Sequence, residues 1–150
     1  MTIAHNDLLL RSKVQYLVRA LGVFRSQTPC GRPISVSGAH ALMVLKQSVK
    51  KQGLSQKDLQ QSLNLDKSNI TRLCANLERD GFITQEKSEE DARVRILKLT
   101  PKGKKLSLGL LEDSRKRFQK ILANIPKEFH SQVLHSLDLL LNSLENEKIS

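Results

Sequence analysis

What the chain lacks narrows its function before any motif is read. Its two cysteines, Cys30 and Cys74, have no CxxC spacing, which argues against a disulfide framework or a zinc knuckle and fits a reducing compartment. No apolar run approaches the roughly 20 residues that span a bilayer. The start, MTIAHND, carries His and Asp where a secretory leader would be basic. The expectation is a soluble, intracellular chain with no membrane partner. There is no GxSxG, GxGxxG, P-loop or HExxH, and His5, His40, His130 and His135 contain no i,i+4 pair. No catalytic residue, cofactor or metal ligand is therefore expected, and an enzyme is not the reading these residues support.

Acids are the other shortage. The 150 residues carry 25 Lys and Arg against 15 Asp and Glu, a formal charge of +10 and a pI near 9.9. A polyanionic partner follows, nucleic acid before an acidic membrane surface. The excess is local: residues 106–150 are balanced, whereas residues 46–105 hold most of the net positive charge. That places a nucleic-acid face on the middle of the chain and a different task at its end. The length suits one domain, 1–150.

Both ends read as long amphipathic helices. Leu10, Val14, Leu17, Leu21 and Phe24 step by three and four, as do Val133, Leu137, Leu140 and Leu144. A third helix over 101–124 offers Leu106, Leu110, Phe118, Ile121 and Leu122 for burial. Asn124 is placed to cap the last helix and Pro126 to sit in its first turn. These stripes can pack on one another within one chain or across a twofold axis.

In the middle, Ser35 or Ser37 can cap a helix with Leu42, Leu45 and Val49 inward and Gly53 as its stop. Ser55-Gln56-Lys57-Asp58 resembles a capping box opening a short helix that buries Leu59 and Leu63. Asn64-Leu65 turns the chain, and Asp66 caps a helix running to about Asp80, with Ile70, Leu73 and Leu77 inward. This is a helix-turn-helix, and the second helix is the candidate reader. Its outward face holds Ser68, Asn69, Thr71, Arg72 and Asn76, short polar groups and an Arg that can approach base edges. A hairpin follows: Phe82 to Lys87, a tip Ser88 to Ala92, and a return Arg93 to Leu99. In it Val94 and Ile96 alternate with Arg95 and Leu97, so that one side packs. Thr100 then caps the next helix, with Pro101 at its first position.

The run Leu63, Asp66-Lys67-Ser68, Thr71-Arg72-Leu73, Leu77-Glu78, Asp80-Gly81-Phe82-Ile83, Asp91-Ala92-Arg93 and Leu99-Thr100-Pro101-Lys102-Gly103 resembles the MarR family of winged helix-turn-helix transcriptional regulators. The motif match covers about residues 54–105, and the order of helices extends it over the whole length. The fold this implies is mainly α with a small β-hairpin wing. A DNA-binding lobe would occupy about 35–100, and dimerisation helices about 1–25 and 101–148. The function it implies is a homodimeric repressor, cytoplasmic and nucleoid-associated, that places its two reading helices in successive major grooves of a pseudo-palindromic operator in double-stranded DNA. A small ligand or oxidant relieves binding in many relatives. Residue by residue, the resemblance assigns DNA contact to Lys67, Ser68, Asn69, Thr71, Arg72, Asn76, Arg93 and Arg95, with Arg93 in the minor groove, and support of the wing to Asp91. Dimerisation falls to Leu10, Val14, Leu17, Val133, Leu137, Leu140 and Leu144. An effector between the dimer helices and the DNA-binding lobe would lie near Tyr16, Arg19, Phe24, His40 and Met43.

Two departures bear on these assignments. Many relatives begin the reading helix with Ser, where this chain has Asp66, which caps well but repels phosphate and is therefore assigned to structure. The oxidant-sensing relatives carry a Cys in the first helix, where this chain has none; Cys74 reads as a small buried hydrophobe and Cys30 lies in a loop. The rival class is a winged-helix architectural or protein-interaction module that binds DNA without sequence preference, or not at all.

Overall fold

The computed structural model describes residues 3–23, 27–48 and 53–149. The chain divides into two compact units, Met1–Leu111 and Glu112–Ser150. Helix α1 spans Ile3–Leu21 and α2 Val36–Gln47. Strand β1 is Leu54–Ser55, α3 is Gln56–Leu63 and α4 is Lys67–Arg79. Strands β2, Ile83–Lys87, and β3, Arg95–Leu99, lead into α5, Pro101–Ala123, and the last helix α6 is His130–Ile149.

In the first unit the caps choose the helices. Ser35, rather than Ser37, opens α2, its Oγ accepting from Gly38 N at 3.1 Å. Ser55 Oγ accepts from Asp58 N at 3.0 Å to open α3, and Asn64, left-handed at φ 53°, closes it. Helix α4 ends in a Schellman closure: Gly81 N donates to Glu78 O at 3.0 Å and Phe82 N to Leu77 O at 2.9 Å. Gly81 supplies the positive φ, 79°, that this closure needs. Leu42 and Leu45 of α2, Leu59 of α3, Ile70, Cys74 and Leu77 of α4, Ile83 of β2, Leu97 of β3 and Leu110 of α5 make one buried cluster. The inward stripes expected for the helix-turn-helix are thus its packed face. Leu63 and Leu73 pack at the edge of that cluster.

Four local expectations change. Helix α2 ends at Gln47, six residues before Gly53; Val49, assigned to its inner face, lies outside the described residues, as does Phe24. The sheet has three strands, ordered β1-β3-β2 and antiparallel throughout. The added strand pairs Leu54 with Leu97 and Ser55 with Ile96, and two residues are too few to show a period. The hairpin is shorter than expected. Arg93 belongs to the tip, and the buried residue of β3 is Leu97, on the same side of the strand as Arg95, while Ile96 is only half-buried. Last, α6 begins at His130 after a 3-10 turn, Lys127–Phe129, with Pro126 ahead of that turn. Asn124 closes α5, its N–H donating back to Lys120 O and Ile121 O, instead of opening α6. In the second unit, His130 Nε2 lies 3.0 Å from Leu122 O, which also accepts from Ile125 N at 3.0 Å, and 2.8 Å from Ile125 O, so a ring proton on Nε2 serves carbonyls at the end of α5.

The junction of wing and α5 is the tightest point. Thr100 Oγ1 donates to Gly81 O at 2.6 Å and accepts from Gly103 N at 3.0 Å, while Thr100 N donates to Phe82 O at 3.1 Å. A Cβ at Gly103 would stand 2.0 Å from Phe82 O. Gly103→Ala is therefore expected to cost about 3 kcal/mol, the upper end for an overpacked site. A urea melt with an unshifted midpoint would show that α5 can slide away from Phe82.

Candidate nucleic-acid interface

Helix α4 buries Ile70, Cys74 and Leu77, which turns Ser68, Thr71, Arg72 and Asn76 to the solvent side with Asn69 half-buried at its shoulder. The first turn is a hydrogen-bonded unit. Asp66 Oδ1 accepts from Asn69 N at 2.7 Å and from Ser68 Oγ at 2.8 Å, and its Oδ2 accepts from Asn69 Nδ2 at 2.7 Å. Asn69 Oδ1 accepts in turn from Arg72 Nη2 at 2.6 Å. These bonds, first that from Asn69 N and then that from Ser68, hold the Asp66 carboxyl below the usual carboxylate range. Thr71 Oγ1 donates to Lys67 O at 2.8 Å and accepts from Gln56 Nε2 at 2.9 Å, which joins α4 to the first turn of α3.

The wing is fastened at base and tip. At the base, Gln85 N donates to Glu78 Oε2 at 2.9 Å, tying β2 to the end of the reading helix. At the tip, Ser88 N donates to Val94 O and Val94 N to Asp91 O, both at 2.9 Å. Asp91 Oδ1 accepts from Arg93 N at 3.0 Å and faces Arg93 Nε at 3.2 Å. The Arg93 side chain is otherwise 93% exposed, free to extend from a tip that its own neighbour holds closed. Across the strands, Lys98 Nζ meets Glu86 Oε2 at 2.7 Å. Such an exposed pair contributes about 0–1 kcal/mol.

Between the first turns of α3 and α4 and the wing lies an open cleft of about 470 Å³. Lys57, Lys67, Arg93 and Arg95 line it with Ser55, Gln56 and Gln60. Four cations and several neutral donors around one concavity, next to the exposed face of α4, suit a run of phosphates beside bases. Of the residues expected to contact DNA, the structure gathers Lys67, Arg93 and Arg95 into this cleft. It sets Ser68, Asn69, Thr71, Arg72 and Asn76 along α4. Gln56, Lys57 and Gln60 were missed, because a polar first turn after a cap looks like any solvated helix end. A second cleft, of about 500 Å³, brings Arg32, Lys102 and Lys105 around Ile34, Phe82 and Leu106, with Lys102 Nζ 4.6 Å from the Phe82 ring centre.

The described residues assigned to an effector lie outside both of these clefts. Tyr16 is 75% exposed, and Arg19 and His40 are exposed too, His40 with its imidazole pKa lowered by partial desolvation. Met43 packs against the core, and neither cleft contains any of these four. Among the described residues no group of three His, Cys, Asp or Glu is placed to hold a metal, and no helix is long and apolar enough to cross a membrane. Cys30 is exposed and Cys74 buried.

A helix-turn-helix whose reading helix is followed by an antiparallel wing defines a winged-helix protein. Residues 35–94 match the model of the MarR family, and the lobe that holds them is similar to the winged helix of that family. The chain is 33% identical over 91 residues to the Bacillus subtilis (strain 168) HTH-type transcriptional regulator YfiV, a stretch covering 61% of this chain and 57% of that protein. It thus spans under three fifths of that relative's length. The fold is shared with Streptococcus pneumoniae FabT in complex with DNA, at TM-score 0.72 and 23% identity over 97% of this chain and 99% of that one. It is also shared with the S. aureus MepR–DNA complex, at TM-score 0.69 and 22% identity over 95% and 98%.

Burial, and secondarily the charge of Glu78, push the Cys74 thiol up to about 11. In the native protein iodoacetamide at pH 8 is expected to leave Cys74 unmodified until denaturant is added. Because the folded value is the raised one, the thiol's contribution to stability is complete below about pH 9 and declines as pH climbs towards 11. Rapid native labelling of Cys74, read by peptide mass, would contradict its burial.

Proposed function

We propose that the chain is a sequence-specific DNA-binding transcriptional regulator, not an enzyme. It would act in the cytoplasm on the nucleoid, as a homodimer that represses by occupying a pseudo-palindromic operator. The observation that carries this is the continuity of two surfaces: the polar face of α4 and, beside it, the cleft ringed by Lys57, Lys67, Arg93 and Arg95. One suits base edges in a major groove and the other the backbone that flanks it. Arg93, projecting from the closed wing tip, would enter an adjacent minor groove, where A·T-rich tracts concentrate negative potential. DNA-bound FabT and MepR with the same fold support the reading.

The dimer reading rests on apolar surface. In the first unit Leu8, Leu9, Leu10 and Leu17 of α1 are exposed, with Val14 half-buried. In the second, Phe118, Ile121 and Leu122 of α5 and Leu134, Leu137, Leu141 and Leu144 of α6 are exposed, with Val133 and Leu140 half-buried. A monomer rarely leaves that many large apolar side chains in water, and a second copy covers them. Residues 1–25 and 101–148 would then serve as dimerisation helices and 35–100 as the DNA-binding lobe. Relief by a small ligand or oxidant is carried over from the family.

Selection of full-length chain against random duplexes, followed by footprinting, tests the function. Two half-sites about one helical turn apart are expected; equal protection of random duplex would favour the architectural reading. In the same assay Arg93→Ala should flatten the salt dependence by about one phosphate equivalent and lose affinity mainly for sites with A·T-rich flanks. A wild-type slope and flank preference would remove Arg93 from the interface. The double substitution Leu137→Asp and Leu140→Asp strands two charges in the proposed dimer contact at a cost of several kcal/mol. Sedimentation should then show a folded monomer, and an unchanged dimer would place the contact elsewhere.

A further inference from the structure

Asp66 uses more of its carboxylate than a helix cap requires. A cap needs one oxygen on one backbone N–H, and Asn69 N at 2.7 Å supplies that. The same oxygen also accepts from Ser68 Oγ at 2.8 Å, and the other from Asn69 Nδ2 at 2.7 Å. A carboxylate only accepts, so both partners lose a choice. The Ser68 proton points at Asp66, leaving that hydroxyl with lone pairs alone to present outward. The Asn69 amide has its NH₂ turned to Asp66 and its oxygen turned away, and that oxygen takes Arg72 Nη2 at 2.6 Å. Negative carboxylate, amide and guanidinium thus form a relay of fixed polarity along one and a half turns of the exposed face. A guanidinium has five donors in a rigid fork; one is committed to Asn69, and the remainder stay available to a bidentate acceptor.

We propose that Asp66 is a specificity-positioning residue: through Ser68 and Asn69 it decides which hydrogen-bonding groups the reading helix offers to bases. This rests on the DNA-binding reading above and goes beyond it. Ser68 is thereby an acceptor and selects a base amino group, adenine N6 or cytosine N4. Arg72 is aimed as a paired donor and selects guanine O6 and N7. The unfavourable placement of a negative charge near phosphates has a compensating purpose, since a neutral cap would hold the helix without fixing either partner's polarity.

The substitution Asp66→Asn separates the two roles, because Asn caps a helix as well as Asp does while its amide can donate as well as accept. Wild type and Asp66→Asn are compared by titration against a duplex selected by the wild-type chain and against random duplex, with thermal melts alongside. The melt is expected to be unchanged. Affinity for random duplex should rise, since one negative charge fewer faces the phosphates, and the ratio of selected to random affinity should fall at least ~10-fold, as for a lost base contact. Reselection with the variant should relax the consensus at the guanine and amino-bearing positions. Combining Asp66→Asn with Arg72→Ala supplies a further readout: because one of the two branches from Asp66 runs through Arg72, the loss of discrimination in the double variant is smaller than the sum of the two single losses, the remainder being the Ser68 branch. Should Asp66→Asn unfold, Asp66→Ser, which also caps, takes its place in every arm. A wild-type ratio and consensus for the capping variant, or losses that simply add in the double variant, would overturn the proposal and leave Asp66 a cap. A wild-type chain with no preference for any duplex would overturn both this and the regulatory reading, so the two failures are told apart by the wild-type arm.

Discussion

The close approach of Gly103 to Phe82 O governs the geometry of the winged-helix lobe. Only hydrogen fits where a Cβ would stand 2.0 Å from that oxygen, and this contact lets Thr100 N reach Phe82 O and Thr100 Oγ1 reach Gly81 O. Gly81 and Phe82 close α4, Phe82 opens onto β2, and Thr100 joins β3 to α5. One knot of backbone therefore fixes the end of the reading helix, both legs of the wing and the start of the next helix. Lys102 reinforces it, donating from Nζ to Asp80 O at 2.7 Å while lying over the Phe82 ring. Because Glu78 also holds Gln85 N, the wing cannot pivot without disturbing the last turn of α4.

Charge is distributed by the same frame. A basic protein whose wing tip reads Glu89-Glu90-Asp91 risks repelling the DNA proposed as its partner. The Asp91 carboxylate is turned onto Arg93 N and Nε, so it tightens the tip and leaves the guanidinium outward. Glu86 is paired with Lys98 and Glu78 is engaged with Gln85. These three acids are thus engaged by neighbouring groups, while Lys57, Lys67, Arg93 and Arg95 share an open cleft. A positive field at a concave surface attracts a polyanion far more effectively than the same charges dispersed.

Much of the lobe was legible in the sequence because its signals are local. Ser55 and Asp66 cap within three residues of themselves, Gly81 is forced by a positive φ at a helix end, and Ile70, Cys74 and Leu77 recur at helical spacing. The legs of the hairpin could be found, but not its register: alternation suggested Val94 and Ile96 as the packed side, whereas Leu97 is the residue that reaches the core. Helix length was poorly legible as well. Pro126 was compatible with the start of α6, but a 3-10 turn intervenes before His130.

Sequence alone determined the elements whose hydrogen bonds close within about four residues, and with them the order helix-turn-helix, wing, long helix, together with the identity of the basic segment. Tertiary structure decided everything that joins distant positions: β1 on β3, Gln56 on Thr71, and four cations from two helices and the wing around one cleft. It also decided what Asp66 does beyond capping, since the orientation of the Asn69 amide and the aim of Arg72 are properties of a network, not of any one residue. The physical reason is range. A cap or an apolar stripe is specified by neighbours along the chain, whereas pairing and charge clustering depend on the small core around Leu42, Leu59, Ile70 and Leu97 bringing remote segments together.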